Sequence, residues 1–294
     1  MQDVIVIGGS YAGMAAALQP ARARRKVRVI DAGQRRNRFA RHSHGFLGQD
    51  GIDPAQIWAA ARQQLLTYPT LRWIEGEAVA ISGRKDDFRL ATADGTAHAG
   101  RRILLATGVR DLLPDIPGLP ERWGKTVFHC PYCHGYELDQ GRIGVIAAGA
   151  MSPHQAQLLP EWGEVTFLTN GALTLEPEQR EDLRSRGVAV EETPIARIAG
   201  AAEVELRDGR VLPFAGLFTA TRTEPASPLA EAAGCEVIET PMGRQVLTDE
   251  TKETSLPGIF ACGDVARAPH SVSLAVGDGA WAGAQLHRSL VWPE

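Results

Sequence analysis

No apolar run in this sequence approaches the roughly 20 residues needed for a membrane-spanning helix, so no helical span is expected. Basic residues are not in excess either. Lys and Arg number 31 against 35 Asp and Glu, a formal charge of −4, and without a basic footprint nucleic acid is excluded as a partner. Cysteine is scarce: there are four, two of them in one tight pair. That is too few for a disulfide scaffold and suits a reducing compartment with a single reactive pair. Met1-Gln2-Asp3 leads directly into a strand-like run with no targeting segment, so a cytoplasmic protein is expected. At 294 residues the chain can bury a substantial core, in one large or two medium domains.

The cysteine pair lies in His129-Cys130-Pro131-Tyr132-Cys133-His134. Three chemistries fit a Cys-x-x-Cys. A structural zinc site needs four ligands, and the remaining thiols, Cys235 and Cys262, are each alone and distant, so no metal is expected. Cys130-x-x-Cys133-His134 also matches covalent haem attachment, which takes place outside the cytoplasm and so conflicts with the expected compartment. The third chemistry is a dithiol/disulfide couple, with an imidazole close enough to lower a thiol pKa. It requires a cofactor able to exchange two electrons with the pair.

The opening of the chain supplies a place for one. Asp3-Val4-Ile5-Val6-Ile7 is a β-branched run typical of a strand buried on both faces. Gly8-Gly9-Ser10-Tyr11-Ala12-Gly13 follows, then an Ala-rich helix, then a second strand ending on Asp31. Strand, glycine turn, helix, strand and acid in this register form a dinucleotide fingerprint. Gly8 permits the tight turn, the helix N-terminus offers N–H groups to a pyrophosphate, and Asp31 can bond a ribose. The second fingerprint glycine is replaced by Ser10. The polar stretch from Gln34 to Asp50 reads either as a solvated loop or as a lid whose Asn37 and His44 reach the cofactor. Thr107 and Gly108 close another buried strand, and Gly263 and Asp264 a later one. In both places small residues let backbone approach a ligand. Residues from Gly144 to Pro153 repeat the opening design in degraded form, with Ala147 at the first glycine, Ser152 as N-cap and Pro153 at N1. The strand after it ends with neither a ribose-binding acid nor an arginine for a 2′-phosphate.

Gly8-x-x-x-x-Gly13, Ala106-Thr107-Gly108, Cys130-x-x-Cys133 and Ile259-Phe260-Ala261-Cys262-Gly263-Asp264 occur in the order seen in low-molecular-weight thioredoxin reductases. The resemblance covers essentially the whole chain. It implies an α/β fold of two Rossmann-like domains: an FAD-binding domain from residues 1–114 and 246–294, split by an inserted NAD(P)H-type domain, 115–245, that carries the cysteine pair. His134-Gly135-Tyr136-Glu137 is most similar to the dithiol oxidases of disulfide-containing natural products, of the gliotoxin and holomycin type. The Arg-rich NADPH motif is missing, and Pro269-His270-Ser271 replaces the Arg-Gln pair that usually follows Gly-Asp, which leaves NADPH doubtful as donor.

By this resemblance FAD is the cofactor, held by Gly8, Ser10, Ala12, Gly13, Asp31, Asn37, His44, Thr107, Gly108, Gly263 and Asp264. Cys133 is the thiol beside the flavin, Cys130 exchanges with substrate, and His134 takes and returns protons with a pKa near 6.5. The expected function is thiol oxidation with oxygen, on a small-molecule dithiol or a protein thiol, in a homodimer. The alternatives are an NADPH-dependent thioredoxin-disulfide reductase, a ferredoxin-linked reductase and a non-enzymatic flavin redox sensor.

Overall fold

A computed structural model describes residues 1–293. The chain divides into two compact units. The first comprises Met1–Arg38, Phe46–Arg110 and the chain from Thr223 onward; the second comprises Phe39–Gly45 and Asp111–Arg222.

In the first unit the strand Gln2–Ile7 lies between Val27–Asp31 and Ala97–Leu105, parallel to both. Leu71–Glu75 extends the sheet beyond Val27–Asp31, and Ile259–Ala261 joins it along Ala97–Leu105. The β-branched residues make this arrangement: Val4, Ile5 and Val6 are buried because both faces of their strand are covered. On one face Val4, Val6, Val27 and Val29 share a core with the helices Tyr11–Arg22 and Val272–Val291. On the other, Ile5, Ile7, Ile30 and Ile103 pack with Phe88, Leu229 and Val265. The last helix starts at Ser271, whose side chain accepts a hydrogen bond from the Leu274 N–H. It lies so close to the first helix that a Cβ on Gly279 would strike the Ala12 carbonyl, and one on Gly283 the Ala16 carbonyl.

The second unit repeats the plan. Gln140–Ile146 is parallel to Gly163–Leu168 and Gly216–Thr219, with Ala189–Glu191 and Val127–Phe128 at the edges. A three-stranded antiparallel sheet, Ile195–Ala199, Glu203–Leu206 and Val211–Pro213, packs against it through Ile198, Val204 and Leu206. That sheet was not expected from the sequence.

The second compact unit runs to Arg222, and beyond it Leu229, Ala230, Cys235 and Val246 join the core that contains Ile5 and Ile103. One expectation is corrected. Ser152 is the first helical residue of Ser152–Leu158, not its N-cap, and its hydroxyl instead accepts from the N–H groups of Ala148 (2.9 Å) and Gly149 (3.2 Å).

Gly283→Ala is expected to lower stability by about 1–3 kcal/mol, since backbone rather than a flexible side chain must move. Gly277, exposed and with open space around its Cβ position, is the control: Gly277→Ala should be neutral or stabilising by up to about 1 kcal/mol. Urea unfolding midpoints of the two variants check both.

Candidate functional site

The candidate residues form two sets, one in each unit. In the first unit the turn after Gln2–Ile7 is built without room for side chains. Gly8 sits at φ +102°, and its Cβ would enter the Ala106 carbonyl. Gly13 leaves no Cβ space against Gly8 itself, and Ser10 opens the helix in extended conformation with its side chain uninvolved in the cap. Asp31 accepts the Gly9 N–H at 3.1 Å, tying the second strand to the turn. The Trp58 indole donates to the Gly9 carbonyl at 2.7 Å, and Gly9 also abuts the Trp73 ring. Asn37 donates to the Tyr11 hydroxyl at 3.2 Å, and that hydroxyl donates to the Pro54 carbonyl at 3.1 Å. Burial raises the Tyr11 phenol above its usual range. Thr107 lies against the Gly8 turn, and Gly108 has φ +69° with open space where a Cβ would stand.

Gly263, also at positive φ, donates to Asp278 at 2.8 Å, and Asp278 pairs with Lys252 at 2.9 Å. Asp264 is held by Arg36 at 2.9 Å. Ala12 is the floor under Gly263 and Gly279. The set that the sequence suggested therefore converges, with the exception of His44, which belongs to the second unit. Asp278, Trp58 and Trp73 were missed. The signal for Asp278 was a lone acid within an otherwise small-residue helical stretch, Val276-Gly277-Asp278-Gly279.

In the second unit Cys130 and Cys133 are joined in a disulfide, with Cα atoms 5.4 Å apart. The other two thiols are buried, and burial pushes both Cys235 and Cys262 up, as expected of inert cysteines. Cys130 precedes the single helical turn Pro131–His134. Three neighbours fix this loop. The buried Gln155 donates to the His129 carbonyl at 2.7 Å. Trp162 meets Tyr132 edge-on at 5.3 Å and closes the space beside Gly135. Phe128, itself packed on Phe218, stacks under the His134 ring at 4.2 Å.

That packing changes the chemistry of His134. Burial first, and then the nearby His44, lower its pKa to about 4. The expected value near 6.5 is corrected accordingly: with the disulfide closed, the ring is neutral at neutral pH. His44 lies 3.4 Å from the Glu137 carboxylate.

The degraded nucleotide turn is in the same unit. The Ala148 and Gly149 N–H groups are taken by Ser152, which is fully buried. Asn170, at the end of the next strand, accepts the Ile195 N–H at 2.8 Å. The nearby arginines also have partners: Arg180 bonds Glu192, Arg197 bonds Glu205, and Arg210 bonds Glu191 and Asp208. Arg210 in turn holds the Glu191 carboxyl at about 2.

A family profile for the pyridine nucleotide-disulphide oxidoreductases matches residues 2–279. The chain belongs to that family. It is 31% identical to thioredoxin reductase tcpT of Claviceps purpurea, across 98% of this chain and 94% of that protein. It is also 31% identical to thioredoxin reductase sirT of Leptosphaeria maculans, across 97% and 93%. Among solved structures, an oxidoreductase from Agrobacterium tumefaciens superposes with a TM-score of 0.97 at 55% identity, covering 100% of this chain and 99% of that one. HlmI superposes at 0.91 with 36% identity, covering 99% and 92%. The protein is thus a thioredoxin reductase-like disulfide oxidoreductase, an enzyme with two Rossmann-like domains. No helix among the described residues is long and apolar enough to cross a membrane.

FAD is the group this family implies, and the first unit fits it. Its glycine turn has no space for side chains, a 12-residue helix begins at that turn, and Asp31 closes the second strand. The Asn37 Oδ1 and Trp73 Nε1 atoms are buried there without a protein partner among the described residues, and are available to a polar ligand.

The lowered His134 pKa has a stability consequence with a definite sign. In the unfolded chain this imidazole binds a proton as pH falls below about 6.5, whereas in the folded chain it stays neutral down to about 4. The stabilisation is therefore complete above pH 6.5 and is lost as the pH falls from 6.5 towards 4. His134→Gln should remove about 1–2 kcal/mol of the difference in unfolding free energy between pH 8 and pH 5, measured by urea denaturation of the oxidised protein.

Proposed function

We propose that this protein oxidises dithiols to disulfides and that oxygen is the terminal acceptor: dithiol plus oxygen gives disulfide plus hydrogen peroxide. The observation that carries the choice of oxygen lies in the inserted unit. At the turn where a nicotinamide dinucleotide would place its pyrophosphate, the Ser152 hydroxyl already takes two of the backbone donors. Arg180, Arg197 and Arg210 of that unit are bound to Glu191, Glu192, Glu205 and Asp208. These pairings support the reading without NADPH, and no step is assigned to it.

FAD would be held by the Gly8–Gly13 turn, Asp31, Asn37, Thr107, Gly108, Gly263 and Asp264, and when bound it accepts an electron pair from a dithiol and passes it on. The protein performs the exchange. Cys130 is the sulfur attacked by substrate, and Cys133 is the leaving sulfur, through which a bound flavin would receive the electron pair. Gln155, Trp162 and Phe128 hold the loop that carries the half-buried disulfide. The half-buried His134 imidazole, neutral while the bond is closed, takes a proton when Cys133 becomes a thiolate, because an adjacent negative charge raises imidazole basicity. The substrate is a small-molecule dithiol or a protein thiol; a homodimer in the cytoplasm is part of the same reading.

A second reading rests on the names of the relatives, two of which are called thioredoxin reductases. It makes NADPH the donor and a protein disulfide the substrate.

Anaerobic reduction separates the two. The flavin-loaded protein should keep its absorption near 450 nm (about where oxidised flavins absorb) with NADPH and lose it with dithiothreitol. Admitting air should then restore the band and yield peroxide in proportion. Rapid bleaching by NADPH would overturn the oxidase reading in favour of a reductase. Cys133→Ser should abolish dithiol-driven bleaching altogether, and turnover by that variant would contradict the role given to this sulfur.

A further inference from the structure

One aspartate is out of place inside the last helix of the first unit. Asp278 lies within Val272–Val291, between Gly277 and Gly279, and its side chain is only 11% exposed. Asp is a poor helix former, and a carboxylate taken out of water is costly unless it is both paired and hydrogen-bonded. Here it is both. Its Oδ1 meets Lys252 Nζ at 2.9 Å, and its Oδ2 accepts the Gly263 N–H at 2.8 Å. Lys252 is as enclosed as its partner, at 12%, and stands in a turn at φ +67°, a left-handed conformation uncommon for a residue with a side chain. Asp249 fixes that turn by accepting the Thr251 and Glu253 N–H groups at 2.8 and 3.0 Å. The Lys252 carbonyl accepts the Ala261 N–H at 3.0 Å, which fastens the turn to the strand Ile259–Ala261. Trp281 fastens it to the helix a second time, its indole donating to the Glu250 carbonyl at 2.9 Å. All of these contacts lie within the first unit. They converge on Gly263, at φ +71°, and so on Asp264 beside it, which Arg36 holds at 2.9 Å.

We propose that Asp278, kept in place by Lys252, is a positioning residue for the cofactor: it fixes the Gly263 N–H and so holds the Gly263-Asp264 corner in the form that receives FAD. Two physical facts carry this. A buried backbone N–H must have a partner, and Gly263 is buried, so the acceptor that takes its N–H decides how the corner is turned. A glycine at positive φ has no side chain to restrain it, so without that acceptor the peptide is free to rotate and to carry Asp264 with it. Lys252 has the complementary task. It neutralises the carboxylate, so that the cradle formed by Gly263 and the Gly8–Gly13 turn presents no unbalanced anion to a pyrophosphate, which is itself anionic. Two residues that touch no reacting atom thus set the shape and the charge of the cofactor site.

This rests on the reading of the Gly263-Asp264 corner as part of the FAD site, and its test involves neither oxygen nor NADPH. Two double variants are compared, neither of which strands a buried charge. Asp278→Asn with Lys252→Met keeps an oxygen that accepts the Gly263 N–H; Asp278→Ala with Lys252→Met removes it. The FAD dissociation constant is measured by equilibrium dialysis on flavin-stripped, folded protein. The Asn double should bind FAD within about threefold of the wild type, and the Ala double about tenfold or more weakly than the Asn double. A purely structural role would lower the urea midpoint of the Ala double and leave the two constants equal, and equal constants would overturn the proposal. Amide exchange gives a second reading without any substitution. Gly263 of the flavin-free wild type should exchange slowly, because its N–H already has a partner, and rapid exchange there would also overturn the proposal. Asp264→Ala separates this failure from failure of the FAD reading. Weakened FAD binding in Asp264→Ala beside equal constants in the doubles would remove the positioning role alone, whereas unchanged binding in Asp264→Ala would remove the corner from the FAD site and the proposal with it.

Discussion

The backbone contact between the first and last helices governs the first unit. Gly279 and Gly283 let Val272–Val291 lie directly on the carbonyls of Ala12 and Ala16. No side chain can be interposed there, so the distance between the helices is set by peptide groups alone. Gly263 comes down on Ala12 from the strand end that precedes the same helix. The start of the first helix, the glycine turn before it and the Gly263-Asp264 corner are thus located by one contact, with chain separated by some 250 residues brought into a single cradle. Asp278 strengthens this arrangement from within the last helix, because its carboxylate fixes the Gly263 N–H and is itself neutralised by Lys252.

The second unit follows a different logic. Its nucleotide-type turn keeps the strand–turn–helix backbone, but the polar groups are directed inwards. Ser152 satisfies the turn's own N–H groups, and Gln155, one helical turn further on, grips the carbonyl that precedes Cys130. A helix that follows a nucleotide turn in this fold here serves the disulfide loop. Hydrophobic packing completes that role: Phe128, Phe218 and Trp162 form the wall on which the loop rests, and the same wall lowers the basicity of His134.

Much of this was legible in the sequence, and what was not has physical reasons. The parallel strands announced themselves because a strand covered on both faces must be apolar without alternation, as Val4-Ile5-Val6-Ile7 is. The glycine turn and Asp31 were legible because their spacing follows from backbone geometry. The short strands Ile195–Ala199 and Glu203–Leu206 were not anticipated: their outer faces carry Arg197 and Glu205, paired to each other, so the apolar signal is diluted to alternate positions. The packing of Thr223–Val246 was not legible because it contains little continuous apolar sequence, and its allegiance is decided by a few residues such as Leu229 and Val246. The basicity of His134 lay beyond sequence reasoning, since it depends on a ring stacked beneath it and on an imidazole contributed from far earlier in the chain.

The division of the first unit between both ends of the polypeptide bears on how the molecule is made. The inserted unit is complete once Arg222 has been synthesised, apart from its short Phe39–Gly45 contribution, which is already in hand. The first unit still lacks Ile259–Ala261 from its sheet and the whole of its last helix at that moment. On the ribosome, then, the order of folding should be the reverse of the order in which the units begin, with the flanking N-terminal segment held as an unfinished sheet whose apolar face awaits its cover.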